Sequence, residues 1–292
     1  MTGDAVRIRG LRKRYPGFTL KDIDLDVPRG YVTGLIGPNG AGKTTLIKLV
    51  MNLVRRDGGT ISVLGLDNLA DEVAVKSRIG FIYDEPPFYH DISLRDSARA
   101  VRPFYPRWSD ARFGQLADRF GLPLDKRFKT LSHGMKMKFA LAVALSHDAD
   151  LLLMDEPTAG LDLAFRRELL DELTGILQDE RKSVLFSTHI TADLERIADY
   201  VTFIRDGAIA FTLPKDELRE RWGVVRAGRA DMERLPAAIV KGRRERPYGV
   251  EALVADVTAA REALGAGAVI DRASFDEVMV FMSRGGEHVE AA

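Results

Sequence analysis

Cysteine is absent from all 292 residues. That excludes disulfides and cysteine-ligated metal sites, and it fits a reducing compartment. Surplus charge is absent too. Forty-three basic side chains balance 43 acidic ones, so bulk charge points to neither nucleic acid nor an acidic surface. No apolar run approaches the roughly 20 residues that span a bilayer. The best candidate, Phe139 to Leu145, ends at Ser146-His147-Asp148. The start, Met1-Thr2-Gly3-Asp4, lacks a basic-then-apolar signal pattern. Internal repeats and low-complexity tracts are missing as well. These absences predict a soluble chain whose membrane role, if it has one, comes through a partner.

What is there is an ordinary globular balance, 46% hydrophobic and 29% charged. The chain is long enough for one large domain and a small one. Val6, Ile8 and Leu11 alternate with polar residues. So do Ile23, Leu25 and Val27, with Asp22, Asp24 and Asp26 between them. This period predicts two half-buried, antiparallel strands. Val32 to Ile36 reads as a third strand, followed by a helix from about Lys43 to Leu53. Ile61–Leu64 and Ile79–Tyr83 read as further strands.

From about Ser93 to Phe128 the period is helical, broken by Pro103, Pro106 and Pro123. This predicts a helical insertion. Strand and helix then alternate. Strands are expected at Leu151–Met154, Ser183–Phe186, Val201–Ile204 and Ala208–Phe211, with helices from about Leu163 to Leu177 and near Ala192–Ala198. Such alternation implies a parallel sheet with helices on its faces. After Leu213-Pro214 the pattern changes. A charged helix (Lys215–Arg221), short strands (Val224–Ala227, Ala238–Lys241, Val250–Ala255) and a last helix around Phe275–Phe281 read as a small α+β appendage.

Three segments carry chemistry. Gly37-Pro38-Asn39-Gly40-Ala41-Gly42-Lys43-Thr44 follows a strand and opens a helix, the context of a phosphate loop. Its glycines let backbone N–H groups close around a β-phosphate, and the helix N-terminus adds positive partial charge. Lys43 would reach the β- and γ-phosphates, Thr44 would ligate Mg²⁺, and Thr45 is placed to touch the α-phosphate. The second segment is Asp155-Glu156, at the end of an apolar strand. A buried parallel strand delivers such side chains to the sheet edge where ligands bind. Asp155 would hold Mg²⁺, directly or through water. Glu156 would orient and polarise the attacking water, as phosphoryl transfer requires. The third is Leu131-Ser132-His133-Gly134-Met135, which opens an apolar helix between the other two. Ser132 suits a helix N-cap.

In this order the segments resemble the Walker A, signature and Walker B motifs of the ATP-binding subunit of an ATP-binding-cassette (ABC) transporter. Ala159-Gly160-Leu161-Asp162 resembles that family's D-loop, and Ser187-Thr188-His189 its switch histidine. The resemblance covers about residues 5–212. It implies an α/β, P-loop NTPase cassette over residues 1–212, with a mixed sheet that includes an antiparallel part and a helical subdomain over about 88–150. Residues 213–292 would form a small C-terminal α+β domain for accessory or dimerisation roles, at the base of a dimer. The implied mechanism has two cassettes, identical or related, sandwiching two ATPs head to tail. Ser132 and the N–H groups at Gly134 would bind the γ-phosphate of ATP held by the other chain. His189 would hydrogen-bond the γ-phosphate, Asp162 would fix the facing loops, and Tyr15 would stack on adenine. The implied partner is a separate transmembrane permease on whose cytoplasmic side the chain would sit, in a bacterial cell. A segment with Phe88, Tyr89 and the helices to about Phe120 would meet a helix of that permease.

Two positions depart from the family pattern. Gln usually follows the strand read at Ile79–Tyr83, whereas here Asp84-Glu85 follows. Asp84 keeps an oxygen for Mg²⁺ or water but loses the amide donor, and Glu85 would fill the role if the loop shifts by one. In the signature, His133 replaces the usual Gly, and Met135 replaces a Gln whose amide it cannot supply. Together with Phe104-Tyr105-Pro106-Arg107-Trp108, these departures resemble the bacitracin-resistance-like (ABC-2 type) exporters, some of which carry antimicrobial peptides. The basic run Lys241 to Arg246 reads as a solvated face rather than a nucleic-acid site. The rival reading is a soluble cassette ATPase acting on DNA, ribosomes or iron–sulfur assembly. Neither the long coiled coils nor the tandem cassettes of such proteins are present. Intact Lys43, Asp155, Glu156 and His189 argue against a non-hydrolysing regulatory module.

Overall fold

The computed structural model describes residues 3–83, 86–265 and 268–283. Asp84 and Glu85, the two alternatives for the missing glutamine, lie outside the described residues. The chain opens with β1 (Asp4–Tyr15) and β2 (Phe18–Pro28), paired antiparallel. Val6, Ile8 and Leu11 of β1 and Ile23, Leu25 and Val27 of β2 are buried, as the two-residue period predicts. Their outward aspartates are paired: Arg9 holds Asp26 at 2.7 Å, and Arg12 holds Asp22. β3 (Val32–Ile36) is buried on both faces and runs into the glycine loop and α1 (Lys43–Val50). This helix stops sooner than its periodicity predicts, because Asn52 turns into the left-handed region at φ +51°. β4 (Gly58–Val63) and β5 (Leu66–Asp67) complete an antiparallel sheet of order β2-β1-β4-β5.

α2 (Glu72–Lys76) and β6 (Ile79–Ile82) follow. The helical insertion then forms as α3 (Leu94–Val101), α4 (Asp110–Arg119) and α5 (His133–Leu145). The three prolines fall between these helices, where a missing N–H breaks no ladder. Ser93, Ser109 and Ser132 cap them through their hydroxyls. The remainder of the cassette is β7 (Leu151–Asp155), α6 (Leu163–Ile176), β8 (Ser183–Thr188), α7 (Thr191–Ile197), β9 (Tyr200–Arg205) and β10 (Ala208–Pro214). The second sheet has the order β10-β9-β3-β8-β7-β6 and is parallel except for edge strand β10. Strands far apart in sequence thus become neighbours, and the carboxyl ends of β3, β8 and β7 meet at one edge. β10 keeps pairing through Pro214, opposite Tyr200 and past the expected junction at residue 212.

The C-terminal part comprises α8 (Lys215–Arg221), β11 (Gly223–Ala227), α9 (Arg229–Met232), β12 (Val240–Arg246), β13 (Gly249–Val254), α10 (Val257–Leu264), β14 (Val269–Arg272) and α11 (Phe275–Ser283). Its sheet has the antiparallel order β12-β13-β11-β14. The basic run meets expectation in part. Lys241 and Arg243 are exposed on edge strand β12, as a solvated face requires, but Arg244 and Arg246 donate to the buried Glu251 of β13. Arg226 of β11 reaches the same carboxylate. α11 buries Phe275, Val278, Phe281 and Met282 in one apolar cluster with Leu194 of α7 and Phe203 of β9. Each such side chain contributes about 1.5–3 kcal/mol of transfer free energy, so the appendage is fastened to the cassette rather than tethered.

Candidate active site

At the shared edge, Ile36 lies opposite Thr188 and Asp155 opposite Ser187. The glycine loop leaves β3 here. A Cβ on Gly37 would come within 2.1 Å of the Ile204 carbonyl oxygen, so only glycine fits. Gly42 caps α1 at φ +112°, a conformation that side chains avoid, and a Cβ there would press on Leu20 and Phe18. Asn39 to Thr45, with Gly17, Phe18 and Glu156, line a cleft of about 580 Å³. The first turn of α1 has no acidic residue, so no side chain of the helix itself offsets its positive end. Lys43 folds back over the loop. Its Nζ donates to the carbonyls of Gly37 (2.8 Å) and Pro38 (3.3 Å) and stands 3.7 Å from Glu156.

β8 runs two residues further than expected and carries Ser187 into the sheet. Its hydroxyl donates to Asp155 Oδ1 at 2.6 Å and accepts from the Glu156 N–H at 3.0 Å. Asp155 is 2% exposed, so this hydroxyl fixes which oxygen remains for another partner. Glu156 adopts φ +49°, a strained backbone for a non-glycine residue. The turn aims its carboxylate back across the sheet edge. One oxygen meets His189 Nδ1 at 2.8 Å and the His189 N–H at 3.3 Å, while the other faces Lys43. The Glu156 carboxylate therefore bridges a cation and an imidazole beside the glycine loop. That arrangement can hold an anion and take a proton from a water next to it.

The turn after Glu156 closes through the Ala159 N–H, which donates to the Glu156 carbonyl at 3.1 Å. Thr158 donates to the buried Asp193 of α7 at 2.6 Å, and Arg166 of α6 completes that knot at 2.7 Å. Asp162 accepts from the Phe165 N–H and caps α6. Ser132 accepts from the Met135 N–H and caps α5. These caps and Gly134 stand apart from the cleft lining, on the exposed start of their helices. Tyr15 ends β1 with a ring 39% exposed, and Lys13 lies 5.4 Å from its centroid. The aromatic ring that lines the cleft is Phe18.

Sequence reasoning missed Phe18, the linking role of Ser187 and the Thr158–Asp193–Arg166 knot. The hydrophobic position of Phe18 within a strand hid it among core residues. It also missed a groove of about 280 Å³ beside the helical insertion, lined by Phe81, Phe88, Tyr89, Phe104, Tyr105 and His147 among others. Tyr89 and Phe104 are exposed at it. His147 stacks on Tyr105 at 3.9 Å, and burial pushes its imidazole down to about 4.

Comparison with known proteins places these features. A model of the ABC transporter family matches residues 20–159. Over 207 residues the chain is 35% identical to the lantibiotic transport ATP-binding protein SrtF of Streptococcus pyogenes, covering 70% of this chain and 88% of that one. It is 29% identical over 219 residues to the bacitracin transport ATP-binding protein BcrA of Enterococcus faecalis, covering 74% and 71% respectively. A solved ATP-binding subunit of an ABC transporter matches with a TM-score of 0.68 at 27% identity, over 74% of this chain and 92% of that one.

Proposed function

Because the chain belongs to the ATP-binding subunits of ABC transporters, a family that hydrolyses ATP to power transport, we propose that it drives export through a separate ABC-2 type permease. The observation that carries this reading is the meeting of Lys43, Glu156 and His189 at one sheet edge. Lys43 and the loop N–H groups hold the β- and γ-phosphates. With Lys43 engaged by phosphate, Glu156 is released to orient the attacking water. His189 steadies that carboxylate and hydrogen-bonds the γ-phosphate. Thr44 and the second oxygen of Asp155 would supply hard-oxygen ligands of the kind that suit Mg²⁺, and the ion would offset phosphate charge. Ser187 keeps Asp155 oriented for it.

Cassettes of this family dimerise and act with membrane permeases. Here Ser132, Gly134 and Asp162 stand clear of the chain's own cleft, on the surface offered to a second cassette, whether a copy or a related chain. Among the described residues no helix is long and apolar enough to cross a membrane. A place on the cytoplasmic face of the membrane comes through the permease, one of whose helices would lie in the groove beside Tyr89 and Phe104. The cargo is an antimicrobial peptide or a drug-like amphiphile, the class suggested by the lantibiotic and bacitracin transport proteins. The test is Glu156→Gln. It retains ATP, slows phosphate release by about 10²-fold or more, as loss of a general base does, and accumulates a dimer on size-exclusion chromatography. Unchanged release would remove Glu156 from the catalytic role.

A further inference from the structure

His133 is where the signature pentapeptide departs from glycine, and it is the first residue of α5. Its side chain is exposed, yet it is not idle. Nε2 lies 3.2 Å from the Ala159 carbonyl oxygen, and the ring edge covers Gly160, where a Cβ would sit 3.5 Å from it. A carbonyl only accepts, so Nε2 must carry the hydrogen. The neutral tautomer with that hydrogen and the imidazolium both make this bond. Ala159 in turn closes the turn that begins at the strained Glu156. Such backbone persists only where its surroundings over-determine it. At the start of this turn, Ser187 of β8 accepts from the Glu156 N–H. Thr158 ties it to α7 through buried Asp193, and His133 ties it to α5. A glycine at position 133 would leave the α5 side unfastened.

We propose that His133 is a positioning residue that locks the 156–161 turn to the start of α5. Ser132 and Gly134 on one side and Glu156 on the other then move as one body. This rests on the two-cassette reading above. Engagement of Ser132 and Gly134 by the neighbour's ATP is carried through His133 and Ala159 to the alignment of Glu156 in this chain. The family's usual signature, with glycine there, lacks this strut.

The test compares His133→Ala, His133→Asn and His133→Gln in the full chain. Gln places an amide N–H at the reach of Nε2, whereas Asn reaches only as far as Nδ1. Steady-state phosphate release is measured against ATP concentration with Mg²⁺, alongside binding of a fluorescent ATP analogue and thermal melting. Ala and Asn lower kcat about fivefold, equivalent to about 1 kcal/mol at 1.36 kcal/mol per decade. They also bring the Hill coefficient toward one, with analogue affinity unchanged. Gln restores both to within about twofold. The exposed bond adds little stability, so melting stays put. Should Ala melt earlier, the contrast between Asn and Gln still decides. Wild-type kinetics in the Ala variant overturn the proposal, as does Gln as slow as Ala, or a wild-type enzyme that hydrolyses ATP without cooperativity. Flat phosphate release by the wild type overturns the ATPase reading itself.

Discussion

Glu156 shows how single residues here depend on distant ones. Its place at the sheet edge was legible because an acidic pair at the end of an apolar strand follows from local order alone. Its geometry was not, since φ +49° is imposed by a turn tied to α5 and α7. Ser187 makes the same point. In sequence it is a small polar residue before a histidine. In the sheet it lies opposite Asp155 and bonds both neighbouring acidic residues. Hydrogen bonds to charged groups are worth about 1.5–3 kcal/mol. Ser187→Ala is therefore expected to lower kcat for phosphate release about tenfold or more, with ATP affinity in the absence of Mg²⁺ little changed. Equal kcat in the two proteins would reduce Ser187 to packing.

Among the elements, the helical insertion was predicted from period and prolines, and serine caps set where its helices begin. Its groove was not predicted, because it forms between β6, α3 and α5 rather than within any one of them. His147 sits in that groove. Burial lowers its imidazole to about 4 from an ordinary 6.5. Since the folded value is depressed, His147 stabilises the fold fully above pH 6.5, and that contribution is lost as pH falls toward 4. His147→Phe keeps a ring against Tyr105 and removes the titration. The variant is expected to lose less melting temperature than wild type between pH 6.5 and 4. Parallel melting curves for the two proteins across that range would contradict this.

At the scale of the molecule, the appendage and the cassette share one apolar cluster. Thr191 of α7 donates to Asp276 of α11, and Arg205 donates to the Met282 carbonyl at 2.8 Å. α11 thus lies against the helix that follows His189. The appended sheet is centred on Glu251. Burial alone would raise this carboxyl, but hydrogen bonds from Arg244, Arg246 and Arg226 outweigh it and hold the group at about 2, below its ordinary 4.5. The stabilisation is present above pH 4.5 and is lost as pH falls toward 2. Glu251→Gln strips three guanidinium groups of their shared acceptor. It is expected to destabilise the protein by about 1–3 kcal/mol at pH 7 in urea unfolding, with the difference shrinking below pH 4.5. A constant difference down to pH 3 would mean that charge is not the cause.

Sequence alone determined the glycine loop between strand and helix, the acidic strand end, the Ser132 cap and the strand–helix alternation. Each depends on residues a few positions apart, where backbone geometry and hydrophobic period act directly. Tertiary structure decided which strands became neighbours, and so which hydroxyl orients Asp155, which ring faces the cleft, and where the basic run sends its charge. It also turned His133 from a departure in a pattern into a contact with Ala159. The Asp155–Ser187 contact spans 32 positions and the His133–Ala159 contact 26, and both depend on sheet order and loop packing that leave no local trace, whereas the basic run meets Glu251 across a single hairpin.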